Sequence, residues 1–340
     1  MDITTVRRTA ISHYNIAIIG LGMGYRHLQA VEENPQAKVV AVCDIDIEKA
    51  RMIAQKHGVP LAVSDYRELV GNPDIDIVIV ASPDHFHCEH TVAMLEAGKN
   101  VFCEKPMAPT VEECQLMVEA ANRCNRKLMI GHIVRFTPIF KTIKRLVDEG
   151  ELGEIFYVGT DYQHDYAKIG GWRFDPKLAR HVFLGGGCHA VDLMRWFLKD
   201  ISTVTAVANR KALLQSPTDD CIVACYTTVE NQLGRVFVSS GCHRPYNIGL
   251  EVYGTRGTVL ATNVDTEARL WLEKVEGLGR KWMTVPTWID NHPAYTQLEH
   301  FINCIEHDQT PLIDGREGMQ TVRAALAAIH ASHAPEKVAV

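Results

Sequence analysis

Two stretches of the chain hold residues able to move a proton. In NVFCEKPMAP (100–109) an apolar, strand-like run ends in Glu104, Lys105 and Pro106: an acid, a base and a residue without a backbone donor. In GGGCHAVDLMRW (185–196) a glycine-rich entry leads to His189, with Asp192 three positions on, so the two share a face if the segment is helical. Histidine titrates near neutrality and lysine carries a positive charge. Such a pair suits removal of a hydroxyl proton and stabilisation of the oxygen left behind. A solvated loop and a structural histidine are the plain alternatives, and the elements that carry the residues decide between them.

From about residue 15 the chain repeats an apolar run, a turn and an amphipathic segment. NIAIIG (15–20), KVVAVCD (38–44), IDIVIVA (75–81), NVFCE (100–104) and KLMIGH (127–132) are short and rich in Val and Ile, continuous rather than alternating. Strands buried on both faces of a parallel sheet have this character. Helix-like segments such as DIEKARMIAQKHG and TVEECQLMVEAANRCN lie between them, the second opened by Thr110 with Glu113 three residues later, a capping-box spacing. The pattern predicts a doubly wound α/β domain.

Its first strand ends in GLGMG, where Gly20, Gly22 and Gly24 flank Leu21 and Met23 before a helix expected near Tyr25. Glycines there permit a tight turn and close approach of backbone amides to a pyrophosphate at the helix N-terminus. Asp44 ends the second strand, where a carboxylate accepts hydrogen bonds from both ribose hydroxyls of an adenosine and repels a 2′-phosphate. NAD is expected, in preference to NADP. Ligands of open α/β sheets bind outside the carboxyl ends of the strands. Asp44, the stretch SPDHFH with Ser82, Pro83 and His87, and Glu104 with Lys105 all follow such ends, so they are cofactor-side candidates. The histidine-rich DHFHCEH (84–90) lacks the HExxH pairing of a zinc site, and no metal is expected.

After a helix expected around 138–150 the character changes. EIFYVGTDYQ, TVTAVANRKA, CIVACYTTVE, GRVFVSSGCH and IGLEVYGTRGTVLAT follow one another with few helices between them, as in an antiparallel sheet, with a hairpin turn at residues 254–257. Domains of 1–133 and 134–340 follow. At 340 residues, 46% hydrophobic and 22% charged, the chain has the size and apolar content for two soluble globular domains. A net charge of −6 without basic clusters argues against nucleic acid and membrane partners and leaves a small molecule as the ligand. Ten scattered cysteines without a CxxC pair, several in apolar runs (Cys43, Cys103, Cys225), read as reduced core thiols of a cytoplasmic protein.

The ordered set GLGMGYRH, VCDID, SPDHFH, EKPM, GHIVRF, GGWRFDP, GGGCHAVDLMRW and PLIDGREG resembles the glucose-fructose oxidoreductase / inositol dehydrogenase (Gfo/Idh/MocA) family, from about residue 14 to the C-terminus. The resemblance implies a Rossmann domain followed by an α+β domain with a large, mostly antiparallel, open-faced sheet. It implies NAD(P)-dependent oxidation or reduction of a sugar, glycoside or cyclitol, by a homodimer or homotetramer. Motif by motif, Lys105 matches the family's active-site lysine and His189 its catalytic histidine. Trp172 and Arg173 would lie near the nicotinamide. His164 and Asp192, the latter from the face it shares with His189, are candidate substrate contacts. Many members carry an aspartate four residues before that histidine, where this chain has Gly185. His164, Asp161, Tyr166 and His181 are candidates to replace it. His189 then suits the base and Lys105 the electrophile, and the two roles can be exchanged. Two other readings share the fold: a redox-neutral NAD-dependent enzyme that cleaves glycosides, and a non-catalytic nucleotide-binding sensor, which Gly185 favours and the presence of both Lys105 and His189 disfavours.

Overall fold

In the computed structural model, residues 13–334 are described, apart from 168, 170–173, 177–179, 274–281 and 291. The strands among them form two sheets, one of six strands and one of eight. The chain divides into two compact units.

The first unit takes in residues 1–104, 119–129 and 294–311. Its sheet has β1 (Tyr14–Ile19), β2 (Ala37–Cys43), β3 (Leu61–Val63), β4 (Ile77–Val80), β5 (Asn100–Cys103) and β6 (Leu128–Ile130) in the order β3-β2-β1-β4-β5-β6. The pairs from β3 through β5 are parallel. All four residues of β4 are buried, which is why its sequence is continuously apolar rather than alternating. Strand order reverses between β1 and β4, and that switch point is where such sheets hold ligands. The helix Ile47–His57 starts at Asp46, whose carboxylate accepts from the Lys49 N–H, and stops at Gly58 in the left-handed region. The helix Ala294–Glu306, which the sequence placed with the second domain, belongs to this unit. Its Phe301 meets Phe102 of β5 edge to face at 6.2 Å, and Gln36 reaches Glu306.

The second unit takes in residues 105–118, 130–293 and 312–340. Its sheet contains β7 (Ile155–Gln163), β8 (Ile201–Asn209), β9 (Cys221–Thr228), β10 (Leu233–Ser239), β11 (Asn247–Gly254), β12 (Gly257–Thr262), β13 (Glu267–Leu272) and β14 (Met283–Pro286), in the order β14-β13-β12-β11-β7-β10-β9-β8. The pairs are antiparallel except β7 with β10. The expected hairpin joins β11 to β12. One face of β7 packs on the helix Cys188–Phe197, to which Thr160 donates a hydrogen bond at the Ala190 carbonyl (2.9 Å). The opposite face carries Arg235 bridging Asp161 (2.7 Å) and Glu251 (2.8 Å). The ten cysteines are thiols; Cys43 and Cys103 are buried as expected, whereas Cys225 is exposed, because on the alternating β9 it points away from the packed face. No helix among the described residues is long and apolar enough to cross a membrane.

Candidate active site

The three glycines after β1 have three different reasons to be there. Gly20 sits at φ +87°, and a Cβ on it would lie 2.6 Å from the Ala81 carbonyl oxygen and the Ser82 nitrogen. A Cβ on Gly24 would press 2.7 Å from Ile18 Cγ2, so that glycine lets the helix Gly24–Glu32 close onto β1. A Cβ on Gly22 would meet nothing within 4 Å beyond its chain neighbours, so the backbone there is open. Met23 occupies the N-cap without a side-chain hydrogen bond, and the first turn holds no acidic residue, leaving its N–H groups suited to a phosphate.

Asp44 ties this turn to the end of β2. Its Oδ2 accepts from the Leu21 N–H (2.9 Å) and from Lys49 Nζ (2.9 Å), and its Oδ1 accepts from the Asp46 N–H (3.1 Å). Burial alone would raise its pKa; the Lys49 and backbone hydrogen bonds outweigh that and hold it below the ordinary carboxylate value. The group is a preorganised anion. These residues fit the adenosine end of NAD: an open backbone at Gly22, an uncapped helix start, and a carboxylate at the ribose position.

His87 is buried and its Nε2–H donates to the Ser82 carbonyl (2.8 Å), while His90 Nδ1 lies 3.0 Å from Ser82 Oγ. His87 therefore shapes the Ser82–Pro83 loop. Glu89 accepts from the Tyr66 hydroxyl (2.6 Å), so these side chains are directed to separate partners. Glu104 Oε1 lies 2.8 Å from Nε2 of the buried His27, a partner that sequence reading did not find. Among the described residues one cluster, His181, Asp219 and His333, has metal-ligand spacing. His181 Nδ1 accepts from the Phe183 N–H, so its Nε2 carries the proton toward Asp219 and offers no lone pair.

In the second unit, Lys105, His132 and His189 come together, with His292 also near His189. His189 lies in the first turn of the helix Cys188–Phe197 and is 6% exposed. Its pKa is pushed well below 6.5, first by burial and then by the charges of Lys105, His132 and His292. The ring is neutral near pH 7, the form a base requires. Tyr162 of β7 stacks on it at 6.4 Å between centroids, and His132 meets it edge to face at 6.2 Å. The Tyr162 hydroxyl lies 3.2 Å from His164 Nδ1 and 3.0 Å from the Tyr166 hydroxyl, with the Tyr246 ring 5.1 Å from His164. A Cβ on Gly186 would fall 2.4 Å from the Tyr162 hydroxyl, so the glycine run admits Tyr162 beside the helix start.

At Gly185 a Cβ would meet Arg180 Nε at 2.7 Å. The arginine stem occupies the space into which a longer side chain would project. The candidates to replace the aspartate are engaged elsewhere: Asp161 faces Arg235 across the sheet, His181 caps a helix, and His164 and Tyr166 bond Tyr162. Asp192, read as a substrate contact, is corrected by its surroundings. It is fully buried and bound bidentately by Arg135 (2.9 and 2.7 Å), with Thr321 donating to it at 3.2 Å. Arg135 continues to Glu317 (3.0 Å), and Arg195 donates to the Glu317 carbonyl. Spacing of three put Asp192 near the His189 face, but burial directs it to Arg135. Trp172 and Arg173 lie outside the described residues. Tyr162 and Tyr246 were missed; the alternation of β7, which turns Tyr162 inward beside the outward Asp161, was the available signal for the first.

The family model for the NAD-binding Rossmann fold of the oxidoreductase family matches residues 14–132, and that for the GFO/IDH/MocA C-terminal domain matches residues 140–260. The chain is 30% identical over 247 residues to an inositol 2-dehydrogenase of Salmonella paratyphi B, covering 71% of each. It is 28% identical over 289 residues to a levoglucosan dehydrogenase of Pseudarthrobacter phenanthrenivorans, covering 74% of each. A solved levoglucosan dehydrogenase in complex with NADH shares the fold at a TM-score of 0.89 and 24% identity, over 94% of this chain and 97% of that one. With both domain models matched in order and a 30% identical relative covered over 71% of its length, the chain belongs to the Gfo/Idh/MocA family of NAD-dependent oxidoreductases acting on CH–OH groups.

Proposed function

We propose that the protein interconverts a hydroxyl and a ketone on a sugar, glycoside or cyclitol, with His189 and Lys105 as the acid/base pair. The observation that carries this reading is a buried His189 at a helix start, flanked by the Tyr162 and His132 rings, in the unit that also carries Lys105, whose charge opposes its protonation. His189 takes the hydroxyl proton. Lys105 polarises the same oxygen and stabilises the alkoxide charge as it develops. NAD, when bound, accepts the hydride from the carbon that bears that oxygen. Its pyrophosphate would be held by the Gly22 backbone and the start of the helix Gly24–Glu32, its adenosine ribose by Asp44, with Ser82 and Pro83 flanking; the carboxylate at Asp44 disfavours NADP. Tyr162, His164, Tyr166 and Tyr246 supply ring faces and polar tips, which match the alternating C–H and O–H surface of a carbohydrate.

The inositol dehydrogenase and levoglucosan dehydrogenase relatives support cyclitols and anhydrosugars as the first substrates to try. Thiol cysteines suit a cytoplasmic location, and the open face of the second sheet suits a homodimer or homotetramer. The test is NADH formation from NAD with a panel of inositols, hexoses, pentoses and glycosides, beside a Lys105→Ala control. Turnover that disappears in the control supports the reading. Silence across the panel despite demonstrated NAD binding overturns it in favour of redox-neutral or sensing roles.

A further inference from the structure

His132 stands at the start of the turn Ile133–Phe136, where KLMIGH reads as a strand end and GHIVRF as one of the motifs of the resemblance, with no role given to the histidine. It is fully buried, and neither ring nitrogen has a hydrogen-bond partner among the described residues. Facing it, His189 Nδ1 is likewise buried without one. Three polar atoms of two adjacent imidazoles thus have no partner among the described residues, and a buried polar group left so is costly. The rings meet edge to face with centroids 6.2 Å apart. That spacing is suited to one bridging water, and buried water characteristically satisfies otherwise orphaned groups of this kind.

The surrounding charges decide which way such a bridge runs. Burial first, with Arg135, Lys105 and Arg195 assisting and Asp192 opposing, pushes the His132 pKa down to about 4. A neutral imidazole keeps one lone pair as an acceptor. His189 can act as a base at Nε2 only if its proton resides on Nδ1, and a donor at Nδ1 needs an acceptor behind it. Among the described residues no carboxylate is bonded to His189 Nδ1: Gly185 has no side chain, and Asp192 is bound by Arg135 and Thr321.

We propose that His132 is the positioning residue for His189: His189 Nδ1–H donates to one enclosed water, and that water donates to a ring nitrogen of His132. The arrangement holds His189 in the tautomer whose Nε2 lone pair faces the substrate. It does with a neutral ring and a water what a carboxylate does elsewhere. The inference rests on the dehydrogenase reading for its catalytic consequence but not for the tautomer itself.

The experiment is nitrogen NMR of ring-labelled protein, with the His189 resonances assigned through His189→Gln, beside kinetics of His132→Phe, His132→Asn and His132→Gln. The wild-type protein is expected to show His189 protonated at Nδ1 alone at neutral pH. His132→Phe keeps a planar ring, somewhat larger, and removes the nitrogens. It is expected to show mixed tautomers and to lose about 10²-fold in kcat with little change in KM. Asn or Gln, which restores an acceptor, is expected to recover part of the loss. An Nε2-protonated His189 in the wild type overturns the proposal without any variant. So does a His132→Phe protein whose His189 spectrum and kcat match the wild type. If the tautomers shift as expected while no polyol is oxidised, the pairing stands and the dehydrogenase reading fails.

Discussion

The Asp44 and His189 neighbourhoods handle ionisable groups in opposite ways. Asp44 is surrounded by donors: two backbone N–H groups and the Lys49 ammonium hold it as an anion, and each of its oxygens is bonded. His189 is surrounded by groups that oppose its charge, and its Nδ1 is unsatisfied among the described residues. On the proposed reading the difference is one of role: an anion that only binds can be fully satisfied, whereas a base has to stay neutral and ready to accept a proton. Beneath it, the buried pairing of Arg135 with Asp192 has no chemistry left to offer and fixes the turn after His132 against the helix that carries His189.

The sharpest way to break this contrast is to remove the proposed acid/base pair alone. His189→Ala and Lys105→Ala are each expected to lower kcat by ~10²- to 10⁴-fold. NAD affinity, measured by calorimetry, should stay near wild type; a parallel loss of NAD binding would make the two regions one functional block. Next in size is Asp192→Asn, which leaves the buried Arg135 without its charge partner. Breaking such a pair costs about 3–5 kcal/mol, read as a lower midpoint in denaturant unfolding. An unchanged midpoint would mean that the pair contributes nothing to stability.

Asp44→Ala is expected to raise KM for NAD while sparing kcat. Losing one or two hydrogen bonds to a charged group, each worth about 1.5–3 kcal/mol, corresponds to roughly 10- to 10⁴-fold in affinity. The preference over NADP should narrow at the same time. The smallest effect is a pH dependence of stability. His132 is neutral when folded, with its pKa lowered from 6.5 to about 4, so below 6.5 the unfolded chain binds the extra proton. Stability is therefore expected to be level above pH 6.5 and to decline as pH falls toward about 4. His132→Phe should flatten that slope, and a slope identical in both proteins would show that other groups produce it.

Much of the first unit was legible because its signals are local. Continuous Val and Ile runs mark strands covered on both faces, and the GLGMG turn and Asp44 follow strand ends within a short stretch of chain. The capping box at Thr110 was legible for the same reason: Thr110 Oγ1 accepts from the Glu113 N–H at 3.2 Å. The second unit was legible in strand content and at its hairpin, but not in what faces its histidine. Asp192 was misread because a three-residue spacing says which residues share a helix face and nothing about what packs there.

By itself the sequence determined the strand and helix alternation of the first unit, most strands of the second and the family motifs, because each depends on backbone preference or side-chain type over a few residues; the short β3 and the outer β13 and β14 escaped it. The tertiary structure alone decided that Asp192 would be consumed by Arg135, that Arg180 would fill the space over Gly185, and that His132 would face His189. These pairings join residues far apart in the chain, and whether a polar group is bonded, buried or left unsatisfied depends on what folding brings against it.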